Sequence, residues 1–211
     1  MTEIAGIAIP DSEICNAARD YAERVSEPFL FNHVMRTYVF GEIVGAKRGL
    51  KPDHELLFVA AVLHDLGITD VVPVKARFEL EGADAAKEFL ATRGMSDKDI
   101  DIVWDAIALH TTYAVPQSKR PEIALTQVGA AVDVGAMPLS VLSEAVVAEI
   151  LDAYPRLGFK QAIIQAFLGL YEKNPAGAIA SHIVADICDQ HIADYRRPRF
   201  CNVIETAAFA E

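Results

Sequence analysis

His64 and Asp65 stand side by side at the end of an apolar run, LLFVAAVLHDLG, that covers Leu56 to Gly67. Burying an imidazole and a carboxylate together is unfavourable unless something compensates them. A divalent ion would do so, because imidazole nitrogen and carboxylate oxygen suit Zn, Fe, Mn, Ni or Mg to differing degrees. Adjacent helical residues point about 100° apart. The two can therefore share an ion only if it lies beside the helix end and other elements add ligands. His33, in FNHVMRTYVFGE, sits among the apolar residues Val34, Phe40 and Val44. Asp133, in GAAVDVGA, is a carboxylate in an apolar stretch, and Gly129 and Ala130 before it suggest room for an ion on that face. Taken in order, His33, His64, Asp65 and Asp133 offer two imidazoles and two carboxylates.

Such ligands need rigid carriers, and helical periodicity dominates the chain. Ile14, Ala18, Tyr21 and Val25 share one face of a first helix. A second is expected from about Phe31 to Ala46, and a third after Asp53 as N-cap, with Gly67 as its stop. The stretch ELEGADAAKEFLATRG reads as a fourth, ending at Gly94. Ser96 and Asp99 resemble a capping box before DIDIVWDAIALHTT, where Ile100, Val103, Trp104 and Ile107 form the apolar stripe. Pro121 suits the first turn of the helix bearing Asp133. Later helices are expected over about 140–154, 158–172 and 175–192, the last begun by Asn174-Pro175. Strand alternation and internal repeats are absent. The most loop-like stretches, 67–80 and 113–121, each follow residues of chemical interest. The fold class is all-α. One domain is expected over 1–211, with a motif core at about 30–135, C-terminal helices at about 140–192 and a tail, 196–211, that is irregular or packed on a neighbouring chain.

Five ordered words carry a resemblance: FNHVMRTYVFGE, AAVLHDLGIT, RFELEGADAAKEFL, VWDAIALHTT and the helix bearing Asp133. As a set they resemble the HD superfamily of metal-dependent hydrolases, and its cyanamide-hydratase-like branch more closely still. An HD dipeptide alone is weak, whereas five words in order are specific. The resemblance covers roughly residues 10–160. It implies an all-α HD-domain bundle and a metal held by His33, His64, Asp65 and Asp133. The larger binuclear HD enzymes carry further histidines between the HD pair and the last Asp. Here that interval holds only His110, which points to one divalent ion.

Around this set stand residues with both a structural and a functional reading. His110 is either a core histidine on the Val103–Ile107 stripe or a substrate-facing acid, base or orienting group. Thr111 and Thr112 either present hydroxyls to a pocket or end the helix. Glu79 and Glu81 suit the positive end of a helix dipole; the functional alternative places Glu81 on the site. Arg36 pairs with a core carboxylate or binds a substrate anion. Asp65, as a ligand, and Asp70, beyond the HD helix, are the candidate proton-handling carboxylates.

The formal net charge of -11 argues against nucleic acid or an anionic membrane surface as partner. The apolar run at 56–63 is far short of the roughly 20 residues that span a bilayer. The acidic N-terminus lacks a signal-peptide pattern. Three cysteines without CxxC spacing fit a reducing cytosol. The expectation is a cytoplasmic, metal-dependent enzyme using an activated water on a small molecule, with homo-oligomerisation left open. A phosphohydrolase leads; a cyanamide-hydratase-like enzyme adding water to a nitrile is the alternative. The second alternative is a non-catalytic, metal-stabilised regulatory module.

Overall fold

A computed structural model describes residues 2–135, 142–197 and 201 of the 211. The chain opens on a short antiparallel hairpin, β1 (Glu3–Ile4) and β2 (Ile7–Ala8). Ala5 and Gly6 turn it with positive φ at both central residues, the backbone that two-residue hairpin turns favour. No alternation marks so short a ribbon, and the sequence reading had no strand there. Ten α-helices and two short 3₁₀ turns, Leu66–Ile68 and Pro116–Ser118, make up the rest of the described elements. The α-helices are α1 (Glu13–Val25), α2 (Pro28–Lys47), α3 (His54–Leu63), α4 (Phe78–Ala91), α5 (Asp97–Leu109), α6 (Pro121–Val134), α7 (Glu144–Ala153), α8 (Phe159–Lys173), α9 (Pro175–Ala178) and α10 (His182–His191). The fold class is all-α, as expected.

Local signals set most boundaries. The Asp53 side chain accepts the Glu55 and Leu56 N–H groups and starts α3. Ser96 accepts the Asp99 N–H at the start of α5, and Pro121 occupies the first turn of α6. Helix α3 is buried at every residue from Leu56 to Leu63. It is apolar all round because α1, α2, α5 and α6 surround it. The main core is built on these five helices and α4. A smaller cluster unites α8, α9 and α10 with Leu30, Ile68 and Phe78.

Two boundaries differ from expectation through a long-range contact. Gly67 lies in a 3₁₀ turn, Leu66–Ile68, after α3 has ended. A Cβ there would fall on the Phe78 carbonyl, so glycine is needed for the close crossing of α4. The stretch 175–192 is two helices, broken where buried Ser181 gives its hydroxyl to Glu79 and leaves α10 without a side-chain cap. The helix expected from 140 is seen from Glu144, and 136–141 lie outside the described residues, as do 198–200 and 202–211 of the tail.

Gly129 marks where α6 lies against α2. A Cβ at Gly129 would collide with the Thr37 carbonyl oxygen, backbone against backbone. The small residue thus serves helix packing, not space for an ion. Gly129→Ala should destabilise the protein by about 2–3 kcal/mol, lowering Tm by about 4–12 °C. Thermal unfolding checks this; an unchanged Tm would show that the two helices separate freely.

Candidate metal centre

The packing of α2, α3, α5 and α6 brings four separated stretches of chain to one point. His33 comes from the second turn of α2, and Asp133 from the last turn of α6. His64 and His110 are the C-caps of α3 and α5, and Asp65 follows His64 into the 3₁₀ turn. All five are buried.

The hydrogen bonds fix which ring nitrogens face inward. His64 Nδ1 lies 2.7 Å from the Ala61 carbonyl and His110 Nδ1 2.6 Å from that of Ile107. A carbonyl only accepts, so each Nδ1 donates and each Nε2 is left for the site. Likewise His33 Nδ1 donates to Asp133 Oδ2 at 2.6 Å. The Asp65 Oδ2 atom then sits 3.4 Å from His33 Nε2 and 3.3 Å from His64 Nε2. Its Oδ1 is 3.5 Å from His110 Nε2.

His64 Nε2 is buried and has no hydrogen-bond partner. Burial pushes the His64 pKa down, against the pull of Asp65. A neutral His64 therefore aims a lone pair at a carboxylate that also offers lone pairs, an arrangement that calls for a cation between them. The ligand atoms of His33, His64 and Asp65 all lie within 4.8 Å of one another. Two donors each about 2.1 Å from one ion at a tetrahedral angle would be about 3.4 Å apart, which matches the separations around Asp65. These residues fit a divalent metal.

Asp133, expected as a fourth ligand, meets the cluster through His33. Its carboxylate also accepts Arg36 Nε at 2.7 Å, Arg36 Nη2 at 2.8 Å and Arg156 Nη1 at 3.1 Å. Burial works against its charge, but the bonds from His33 and Arg36 prevail and hold its pKa far below the carboxylate range. For Asp65 too, burial is opposed by His64, His110 and His33, and the balance keeps the carboxyl ionised. For His110, burial favours the neutral ring, yet Asp65 and Glu79 nearby raise its pKa.

A cavity of about 430 Å³ opens onto His33, His64, Asp65 and His110. Phe78, Ile163, Phe167 and Ile183 make much of its wall, and Thr111 and Lys160 also face it. Phe159, at the start of α8, packs at a tilt against His33, with ring centroids 4.8 Å apart and 32° between the planes. The C-terminal helices thus close the site from a direction no motif announced.

Four expected site residues lie elsewhere or do other work. Arg36 is fully buried, and its third nitrogen donates to the Tyr154 and Pro155 carbonyls. Its guanidinium is filled by the core and does not face the cavity. Asp70 is exposed and paired with Lys173 at 2.6 Å, away from the cavity. Glu81 lines a separate groove with Arg24 and Lys75. The Thr112 N–H closes the end of α5 on the Leu109 carbonyl, and its side chain is not part of the cavity wall.

The carboxylate that sequence reasoning passed over is Glu79. It is fully buried, and its Oε1 accepts Thr111 Oγ1, Ser181 Oγ and Arg77 Nη2. Burial opposes its charge; the Arg77 bond, His110 and the Thr111 bond overcome that and lower its pKa. A signal existed: Glu79 shares the helical stripe of the buried residues Ala83, Ala86 and Leu90, and Glu81 does not.

The family model of the HD domain matches residues 30–157. Cyanamide hydratase DDI2 and cyanamide hydratase DDI3, both of Saccharomyces cerevisiae, are each 33% identical to the chain over 109 residues. The match covers 48% of this chain and 47% of each relative, so the chain spans about half the length of the curated relatives it matches.

Proposed function

The chain belongs to the HD domain family, whose members are generally metal-dependent hydrolases, and on that premise we propose that it adds water to a small nitrile in the cavity above His64 and Asp65. His33, His64 and Asp65 would hold one divalent ion, and Asp133 is the fourth member of the centre, fixing His33 and supplying negative charge. When bound, the ion supplies Lewis acidity and lowers the pKa of water. The chain's own residues do the rest. His110 presents Nε2 to the cavity beside Asp65 and is placed to move a proton. Phe78, Phe167 and Ile183 exclude bulk water, which strengthens every polar contact within. The net change is addition of one water across C≡N, oxygen to carbon and both protons to nitrogen, so cyanamide would give urea.

The wall of the cavity carries the choice of substrate. It is mostly apolar, and among its described lining residues Lys160 is the one lysine or arginine. A buried phosphoester dianion wants several charged donors; a neutral, dipolar nitrile does not. The named activity of the two yeast relatives supports the same choice. Lys160 favours a second reading, phosphoester hydrolysis, because an ammonium at the cavity wall suits an anion. A non-catalytic module would have no use for a cavity that reaches the proposed ligands.

The test is turnover by metal-defined protein on cyanamide and on p-nitrophenyl phosphate. Urea formation should appear with cyanamide, vanish on chelation and return with added divalent ion. Chelation should also lower Tm, since an ion bound only by the folded state stabilises it. Phosphoester turnover without urea formation would establish the second reading. Stoichiometric metal with neither activity would establish the non-catalytic one. No described helix is long and apolar enough to cross a membrane, and a small molecule, not a polymer, is the proposed partner.

A further inference from the structure

We propose that Thr111 determines substrate specificity: Glu79 holds its hydroxyl as a hydrogen-bond acceptor toward the cavity, selecting small nitriles that carry an N–H beside the reacting carbon. This rests on the nitrile reading above and names its substrate class more closely.

The direction of the Thr111 proton follows from its partners. Glu79 Oε1 receives Thr111 Oγ1 at 2.6 Å, Ser181 Oγ at 2.9 Å and Arg77 Nη2 at 3.1 Å. A guanidinium can only donate, so Oε1 is an acceptor, and both hydroxyls beside it must donate. A hydroxyl has one proton, and that of Thr111 is used. Whatever the Thr111 hydroxyl offers the cavity can therefore only be a lone pair.

The arrangement resists reversal. Turning the Thr111 proton into the cavity would take a donor from a fully buried carboxylate whose other oxygen, Oε2, already has no partner. Bonds to an ionised, buried acceptor are short and strong, and 2.6 Å is at the short end. Neither Ser181 nor Arg77 is among the described residues that line the cavity, which leaves Thr111 as the link from Glu79 to it.

Thr111 follows His110, which lines the same wall. A nitrile oriented toward the His64–Asp65 end would bring its substituent against that wall. An N–H there completes the Thr111 lone pair; a tertiary nitrogen leaves it buried and unmatched. A site built to hydrogen-bond a substrate rejects the analogue lacking the group far more strongly than a size difference would explain.

The experiment compares cyanamide with N,N-dimethylcyanamide, read as binding by calorimetry or ligand-observed NMR and separately as initial rates. The proteins are metal-loaded wild type, Thr111→Val and Thr111→Ser. Valine keeps the shape, so steric exclusion of the methyl groups persists in that variant and the hydrogen bond does not. Wild type should bind cyanamide at least about tenfold more tightly than the dimethyl compound. Thr111→Val should shrink that ratio about fivefold or more by weakening cyanamide alone, and Thr111→Ser should keep it. An unchanged ratio in Thr111→Val, or equal weakening of both compounds, overturns the proposal, as does failure of wild type to bind either. Binding with the expected ratios but no turnover would defeat nitrile hydration and leave the recognition role standing.

Discussion

His64→Ala should strip the divalent ion from the protein and take turnover with it. His64 Nε2 is a buried atom with no hydrogen-bond partner, 3.3 Å from Asp65 Oδ2, while Nδ1 is committed to the Ala61 carbonyl. Removing the imidazole leaves His33 and Asp65 without the third converging atom. Loss of a partner one step behind a metal ligand already costs about 10–100-fold in affinity, so loss of a proposed ligand should exceed about 100-fold. Elemental analysis after dialysis against limiting metal reads the loss directly. The Tm increment caused by added ion should vanish in parallel. His54→Ala is the control on the same helix: His54 is exposed, pairs with Glu42 at 2.7 Å and lies at the opposite end of α3. It should keep the ion. Full metal occupancy in His64→Ala would sink the assignment of the centre.

Arg36→Met should give the largest loss of stability, about 3–5 kcal/mol at neutral pH. Methionine fills much of the volume, so the effect is electrostatic. Arg36 Nε and Nη2 hold both oxygens of Asp133, which is 97 residues away and itself buried. Without them a buried carboxylate retains only His33 and Arg156. The pH dependence identifies the seat of the effect. The folded-state pKa of Asp133 is depressed, so its stabilisation is present above the ordinary carboxylate range and is lost as pH falls toward the folded value. In Arg36→Met that pKa rises, because burial is then less opposed. The variant can protonate Asp133 under acid conditions where wild type keeps it charged. The stability gap should therefore be widest near about pH 7 and narrower near about pH 4. Urea unfolding at both values, with chelator present throughout, removes ion binding from the comparison. An equal gap at both would place the loss in packing and not in the Arg36–Asp133 pair.

Much of the frame was legible because its causes are local. Asp53, Ser96 and Pro121 start helices through contacts with the next few residues, and each start stands where the residue types put it. The apolar surroundings of His33 and of the His64–Asp65 pair made their burial foreseeable, and His33, His64 and Asp65 do meet. Glu79 was legible in principle from its helical stripe, yet an acidic residue in a first turn has an equally local explanation in the helix dipole. Gly129 was misread because a small residue near a carboxylate suggests space, and only the crossing of α2 shows that the space is filled by backbone.

The sequence by itself determined which segments are helical, which faces are apolar and which residue types can take a metal ion, since hydrophobic period, caps and ligand chemistry act over a few residues. The tertiary structure alone decided what each polar side chain meets. Arg36 turned to Asp133 and not to the cavity, Glu79 gained Ser181 from 102 residues away, and Asp70 was left to solvent and Lys173. It also decided that Phe159, Phe167 and Ile183 of the C-terminal helices would roof the site. The reason is physical: a local pattern encodes whether a side chain must leave water, but the partner that then satisfies its charge or hydrogen bonds is set by which distant helix packs across it.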